Sequence, residues 1–237
     1  MKKGKDYLIF PLDVSTRQDA LRLVEVLKDD VGLFKVGLEL FISQGPEILK
    51  SIRNVTGAGI FLDLKLHDIP ATVNRAFLAA SSYNPRFVTV HCDAGDGVLR
   101  DVASNNPATS ILGITLLTSL NSRNLEILGF REEYIKDLLK LVLLRARIAK
   151  EAGCHGIVCS GREVAAIKKE LPDLIAVTPG IRPAWSLVGT DDQKRIVTPA
   201  GAVQSGADFI VVGRPVRDAK DPAEAARRVA EEIDAIL

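Results

Sequence analysis

The stretch Phe209-Ile210-Val211-Val212-Gly213-Arg214-Pro215, running on through Asp221-Pro222 to Leu237, decides how the chain is read. Phe209–Val212 is a continuous apolar run, the pattern of a strand covered on both faces rather than on one. Asp221-Pro222 is a helix start, and Pro222–Leu237 carries helical spacing. A doubly covered strand followed by a helix is one βα unit. Working outward, further strands are expected at Tyr7–Asp13, Leu33–Leu38, Gly59–Lys65, Phe87–His91, Ile111–Leu117, Gly156–Cys159 and Ile175–Thr178. Helical spacing recurs between them, with Ala20, Leu21, Val24 and Leu27 on one face of Ala20–Leu27, and again along Tyr134–Ala152. Eight units in 237 residues is about 30 residues each, the size of one βα repeat. Strict alternation implies a parallel sheet, and eight units close into a (β/α)8 TIM barrel of the α/β class. No Pro/Gly/Ser-rich linker divides the chain, so residues 1–237 are expected to form a single domain. An open doubly wound sheet is the structural alternative, but no GxGxxG follows the first strand.

Composition agrees with a globular core: 47% of residues are apolar and 26% charged, with 18 Gly and 11 Pro. Thirty-one Lys and Arg against thirty Asp and Glu leave a net charge of +1, which favours neither a nucleic-acid nor a membrane-surface partner. Cys92, Cys154 and Cys159 are odd in number and form no CxxC pair, as expected of buried thiols in a reduced compartment. After Lys2, Lys3 and Lys5 the apolar run Tyr7–Leu12 is too short for a signal peptide, and no stretch is long enough to span a membrane. A cytoplasmic location is the expectation.

In such a barrel the chemistry collects at the C-terminal strand ends. Those positions hold Asp13, Lys35, Asp63, Lys65, His91, Thr118, Ser119, Ser160, Pro179 to Arg182, and Gly213-Arg214. The densest cluster is Asp63-Leu64-Lys65-Leu66-His67-Asp68-Ile69-Pro70. Strand alternation would put Asp63 and Lys65 on one face, with Asp68 where the loop turns into the next helix. Alternating carboxylates and ammonium groups hold a lysine protonated beside negative charge. That suits a reaction that loses an anionic group and takes a proton at the same carbon. His67 and His91 are expected to serve packing or hydrogen bonding. No His, Cys and carboxylate cluster has metal-site spacing. After the seventh and eighth strands, Thr178-Pro179-Gly180-Ile181-Arg182 and Gly213-Arg214-Pro215 suit a phosphate site, and the long polar segment at about 182–198 suits a lid.

Asp63-x-Lys65-x-x-Asp68-Ile69-Pro70, with Asp13, Lys35, Thr118-Ser119, Pro179-Gly180-Ile181-Arg182, Asp192-Gln193, Thr198-Pro199 and Gly213-Arg214-Pro215, resembles the orotidine 5′-phosphate decarboxylase family in its bacterial form. The resemblance covers nearly the whole chain. It implies decarboxylation of orotidine 5′-monophosphate to UMP, in de novo pyrimidine synthesis, with no cofactor and no metal. It implies a homodimer in which Lys35, Asp63 and Lys65 come from one subunit and Asp68 and Thr72 from the other. Lys35, Asp63, Lys65 and Asp68 would be catalytic, with Lys65 delivering the proton to C6. Asp13 and Lys35 would hold the ribose, Thr118 the pyrimidine edge, and Arg182, Gln193, Gly213 and Arg214 the phosphate. The alternative is a magnesium-dependent decarboxylase or aldolase of sugar phosphates on the same barrel, against which Lys35 and Ile69-Pro70 argue. A catalytically silent phosphate-binding barrel is a further alternative.

Overall fold

Eight apolar segments form strands: β1 (Leu8–Pro11), β2 (Leu33–Gly37), β3 (Gly59–Leu66), β4 (Phe87–His91), β5 (Ser110–Ile114), β6 (Gly156–Val158), β7 (Ile175–Thr178) and β8 (Phe209–Val211). They come from a computed structural model, which describes residues 2–105, 108–186 and 197–237. Each strand pairs in parallel with the next, and β8 pairs with β1, so the sheet closes into a barrel in chain order. Helices fill the connections and cover the outer face, giving the expected (β/α)8 architecture in a single domain.

Two-residue alternation divides each strand between two cores. Outward-facing Leu8, Phe10, Phe34, Val36, Ile60, Leu62, Val88 and Ile210 pack under the helices. Inward-facing Ile9, Leu33, Phe61, Phe87, Leu112, Val177, Phe209 and Val211 form a separate cluster that plugs the barrel. Within the plug the Phe87 ring meets Phe61 edge-on at 6.0 Å and Phe209 at 5.3 Å, so the site above rests on a packed apolar floor.

Local chemistry sets the helix starts. Thr16 Oγ1 accepts the Asp19 N–H to cap Arg17–Leu27, and Asp221 accepts the Glu224 N–H to cap Pro222–Asp234, with Pro222 in the first turn. The expected face of the first of these helices is amended. Leu23 is buried with Ala20, Val24 and Leu27, whereas Leu21 is half-buried. The single helix expected over Tyr134–Ala152 is two, Glu132–Lys136 and Leu138–Glu151. Asp137 adopts an extended backbone between them and its carboxylate accepts the Leu139 N–H, so it caps the second helix instead of continuing the first. The strand expected to reach Leu117 ends at Ile114.

Cys92, Cys154 and Cys159 are buried and unpaired. Burial pushes all three thiols up, Cys154 to about 12. Among the described residues no helix is long and apolar enough to cross a membrane. Phe87→Ala should remove the centre of the plug and lower stability by about 3–5 kcal/mol, read as a fall in the urea midpoint. A loss below about 1 kcal/mol would contradict a tightly packed barrel interior.

Candidate active site

The alternation that builds the plug also carries polar side chains inward one layer above it. Lys35 follows Leu33 on β2, Asp63 follows Phe61 on β3, and Thr89 follows Phe87 on β4. Asp13 stands just beyond β1. Lys35 Nζ lies 3.2 Å from Asp13 Oδ1 and 3.7 Å from Asp63 Oδ2, while Lys65 Nζ lies 2.7 Å from Asp63 Oδ2. The result is a continuous row of alternating charge, Asp13, Lys35, Asp63, Lys65, across three adjacent strands. Exposure grades along it: the side chains of Asp63 and Lys35 are 11% and 13% exposed, that of Lys65 is 32% and that of Asp13 52%. Unit charges about 4 Å apart interact by about 4 kcal/mol at an effective dielectric of about 20, against roughly 1 kcal/mol or less for solvated surface pairs. The inner half of the row is therefore the strongly coupled half. Gly37 leaves the room for it, since a Cβ there would come within 3.0 Å of Lys35 Nζ.

Asp63 and Lys65 share the inward face, as alternation predicts, but the strand between them is not regular. Leu62 pairs with Val88 and Leu66 with Val90, so three residues of β3 bulge opposite Thr89 alone. Lys65 sits at the bulge with φ +51°, a left-handed conformation that costs a non-glycine residue about 1–2 kcal/mol. Its N–H donates to Thr89 Oγ1 at 2.8 Å, and that hydroxyl donates to Asp63 Oδ1 at 3.0 Å.

These groups border a cavity of about 300 Å³ at the barrel mouth. Asp13, Lys35, Asp63, Lys65, Thr118, Arg182, Gly213 and Arg214 all line it, together with Pro11, Leu116, Leu117 and Val158, which the sequence did not single out. The lysines occupy the β2–β3 side, whereas Arg182 and Arg214 follow β7 and β8, so the two groups of cations lie apart around the mouth. Gly213 opens the short helix Arg214–Arg217, and a Cβ there would meet Pro11 Cγ at 3.0 Å. Asp68 does not line the cavity. It borders an outer groove with His67, Ile69, Pro70 and Asp93. Thr72 lies in the helix Pro70–Ser81 and lines neither that groove nor the cavity. Gln193 and most of the segment at 182–198 lie outside the described residues. Among the described residues no three His, Cys, Asp or Glu side chains gather as a metal site requires.

The sequence profile of the orotidine 5′-phosphate decarboxylase / HUMPS family matches residues 6–229. The chain belongs to that family. It is 46% identical to an orotidine 5′-phosphate decarboxylase of Desulfosudis oleivorans, over 98% of this chain and 95% of the relative. It is 44% identical to the one from Methylococcus capsulatus, over 96% and 92%. The crystal structure of the Lactobacillus acidophilus orotidine 5′-phosphate decarboxylase superposes with a TM-score of 0.82 at 31% identity, covering 96% of this chain and 98% of that one. The matched residues take in all eight strands, from β1 to β8.

Beside the site, the His67 and His91 rings stack with centroids 5.2 Å apart. His67 is exposed and His91 half-buried. Burial, and then the neighbouring His67, lower the His91 pKa below its ordinary 6.5. A histidine that protonates less readily when folded contributes stability that is present above its unfolded pKa and is lost as pH falls toward its folded one. Urea midpoints should thus fall as pH drops below the ordinary histidine value of 6.5, and His91→Asn should flatten that slope. An unchanged slope in the variant would remove His91 as its source.

Proposed function

We propose that the chain decarboxylates orotidine 5′-monophosphate to UMP, the decarboxylation step of pyrimidine nucleotide synthesis. The observation that carries this reading is the row Asp13, Lys35, Asp63, Lys65 above an apolar floor, with Arg182 and Arg214 across the same cavity. It is a site with a charged end for the reacting base and a basic end for a phosphate. The relatives at 46% and 44% identity support the same substrate over a sugar phosphate.

In this reading the phosphate is held by Arg182, Gln193, Arg214 and the backbone at Gly213, the ribose by Asp13 and Lys35, and the pyrimidine edge by Thr118. The substrate carboxylate then sits beside Asp63. As the bond from C6 to the carboxylate breaks, carbon dioxide leaves and the electron pair stays on C6. The Lys65 ammonium faces that charge, stabilises it and transfers its proton to C6, giving UMP. Lys65 regains a proton from water. Lys35 and Asp63 are already placed before the substrate enters, so little reorganisation accompanies the charge migration. Phosphate contacts far from C6 can supply the energy that holds the carboxylate against Asp63.

The chain acts as a homodimer in this proposal, with Asp68 and Thr72 completing the site of the other subunit. What supports it is that Asp68 faces an outer groove, with large apolar side chains exposed on the neighbouring connections: Leu38 (49%), Ile42 (77%) and Ile69 (66%). Such side chains bury well against a second copy. The unpaired, buried cysteines support a cytoplasmic setting.

Loss of the ultraviolet signature of orotidine 5′-monophosphate, followed with a chelator present and with product mass measured, tests the activity. Lys65→Ala should lower kcat by at least about 10²–10⁴-fold, the span of a lost proton donor, and near-normal turnover would sink the mechanism. Mixing Lys65→Ala protein with Asp68→Ala protein should restore roughly a quarter of the sites, because each mixed dimer holds one intact pair. No recovery after demonstrated subunit exchange would count against a shared site.

A further inference from the structure

We infer that Thr89 is a positioning residue for the reaction, a single hydroxyl that sets both the rotation of the Asp63 carboxylate and the backbone of Lys65. The inference rests on the catalytic reading of Asp63 and Lys65 given above.

Thr89 is fully buried and does not line the cavity, so it acts through its neighbours. Its Oγ1 uses both of its capacities on the catalytic row, accepting from the Lys65 N–H at 2.8 Å and donating to Asp63 Oδ1 at 3.0 Å. The first bond does what the sheet cannot. Where β3 bulges against β4, the regular ladder is interrupted, and the hydroxyl takes the Lys65 N–H in place of a strand carbonyl. It thereby ties down a residue held at φ +51°, a conformation that persists only where the surroundings enforce it.

The second bond sets the carboxylate. The torsion that turns an aspartate carboxylate is broad and weakly determined by itself. With Oδ1 engaged by Thr89, Oδ2 is left facing the mouth, 2.7 Å from Lys65 Nζ and 3.7 Å from Lys35 Nζ. Both lysines thus converge on one oxygen. A valine would fill the same volume on the same strand with equal β propensity, so packing does not ask for the hydroxyl.

Thr89→Val and Thr89→Ser separate the hydroxyl from the shape. Steady-state kinetics with orotidine 5′-monophosphate should show kcat of Thr89→Val down about 10- to 100-fold, the loss expected for a buried hydrogen bond to a charged group. KM should stay within about 3-fold, because the phosphate contacts are untouched. Thr89→Ser should recover kcat to within about 3-fold of the parent. If the valine variant fails to fold, as judged by circular dichroism, Thr89→Ala removes the same hydroxyl without bulk and is read in its place. Parent-like kcat without the hydroxyl, a loss confined to KM, or a serine variant as slow as the valine one would each overturn the inference. Lys65→Ala measured alongside distinguishes the two levels. If it is inactive while Thr89→Val is normal, the role of Thr89 alone falls. If it turns over like the parent, the catalytic reading falls and takes Thr89 with it.

Discussion

The Asp63 carboxylate is the group on which the arrangement of the mouth depends. Taking a carboxylate out of water costs several kcal/mol unless it is paired and its lone pairs are met. Asp63 is buried, and its compensation comes from three directions: Lys65 on its own strand, Lys35 from β2 and Thr89 from β4. None of these can be moved alone without leaving a charge or a hydroxyl uncompensated in a poorly solvated layer. The in-order closure of the barrel is what makes β2, β3 and β4 neighbours, so the fold and the charge row are one constraint seen at two scales.

The floor beneath the row matters as much as the row. Leu33, Phe61 and Phe87 lie directly below Lys35, Asp63 and Thr89 on the same strands, and Phe209 completes the plug from β8. Above this apolar floor, the charges compensate each other or face the cavity. Electrostatic interactions in such a layer are stronger than on the surface. The opposite side of the mouth is built differently. Arg182 and Arg214 stand at the ends of β7 and β8, and β8 lies beside β1, which brings Asp13. From β7 round through β1 to β3, adjacent strand ends therefore supply a basic, then an acidic, then an alternating segment. A ligand with a phosphate at one end and a carboxylate at the other matches that order.

Much of the barrel and of its charged mouth is legible in the order of the amino acids, for identifiable reasons. Strands buried on both faces must be apolar throughout, so runs such as Phe209–Val211 stand out without reference to their neighbours. Charged side chains at strand ends stand out for the opposite reason, which is why Asp13, Lys35, Asp63, Lys65 and Arg214 can be picked out. Asp137 cannot, because an aspartate within helical spacing reads as a solvated face until its carboxylate is seen to accept the Leu139 N–H. Thr89 is hidden more thoroughly. In Phe87-Val88-Thr89-Val90-His91 a threonine is an ordinary strand former, and nothing local distinguishes a hydroxyl facing Asp63 from one facing solvent.

The bulge in β3 shows why the right pair of residues can be chosen for an incomplete reason. Regular alternation would set Asp63 and Lys65 about 6.6 Å apart along a straight strand, side by side and both pointing inward. The lysine stem would then rise into the cavity and its ammonium would be free to leave the carboxylate. At φ +51° the chain turns instead, and the ammonium is brought back to 2.7 Å from Asp63 Oδ2. The strain of about 1–2 kcal/mol in that conformation is small beside the several kcal/mol of a buried, uncompensated carboxylate, so the pairing outweighs the backbone. An ammonium held this way is aimed before the substrate arrives. That aim belongs to the backbone of Lys65 as much as to its side chain, and sequence spacing alone cannot express it.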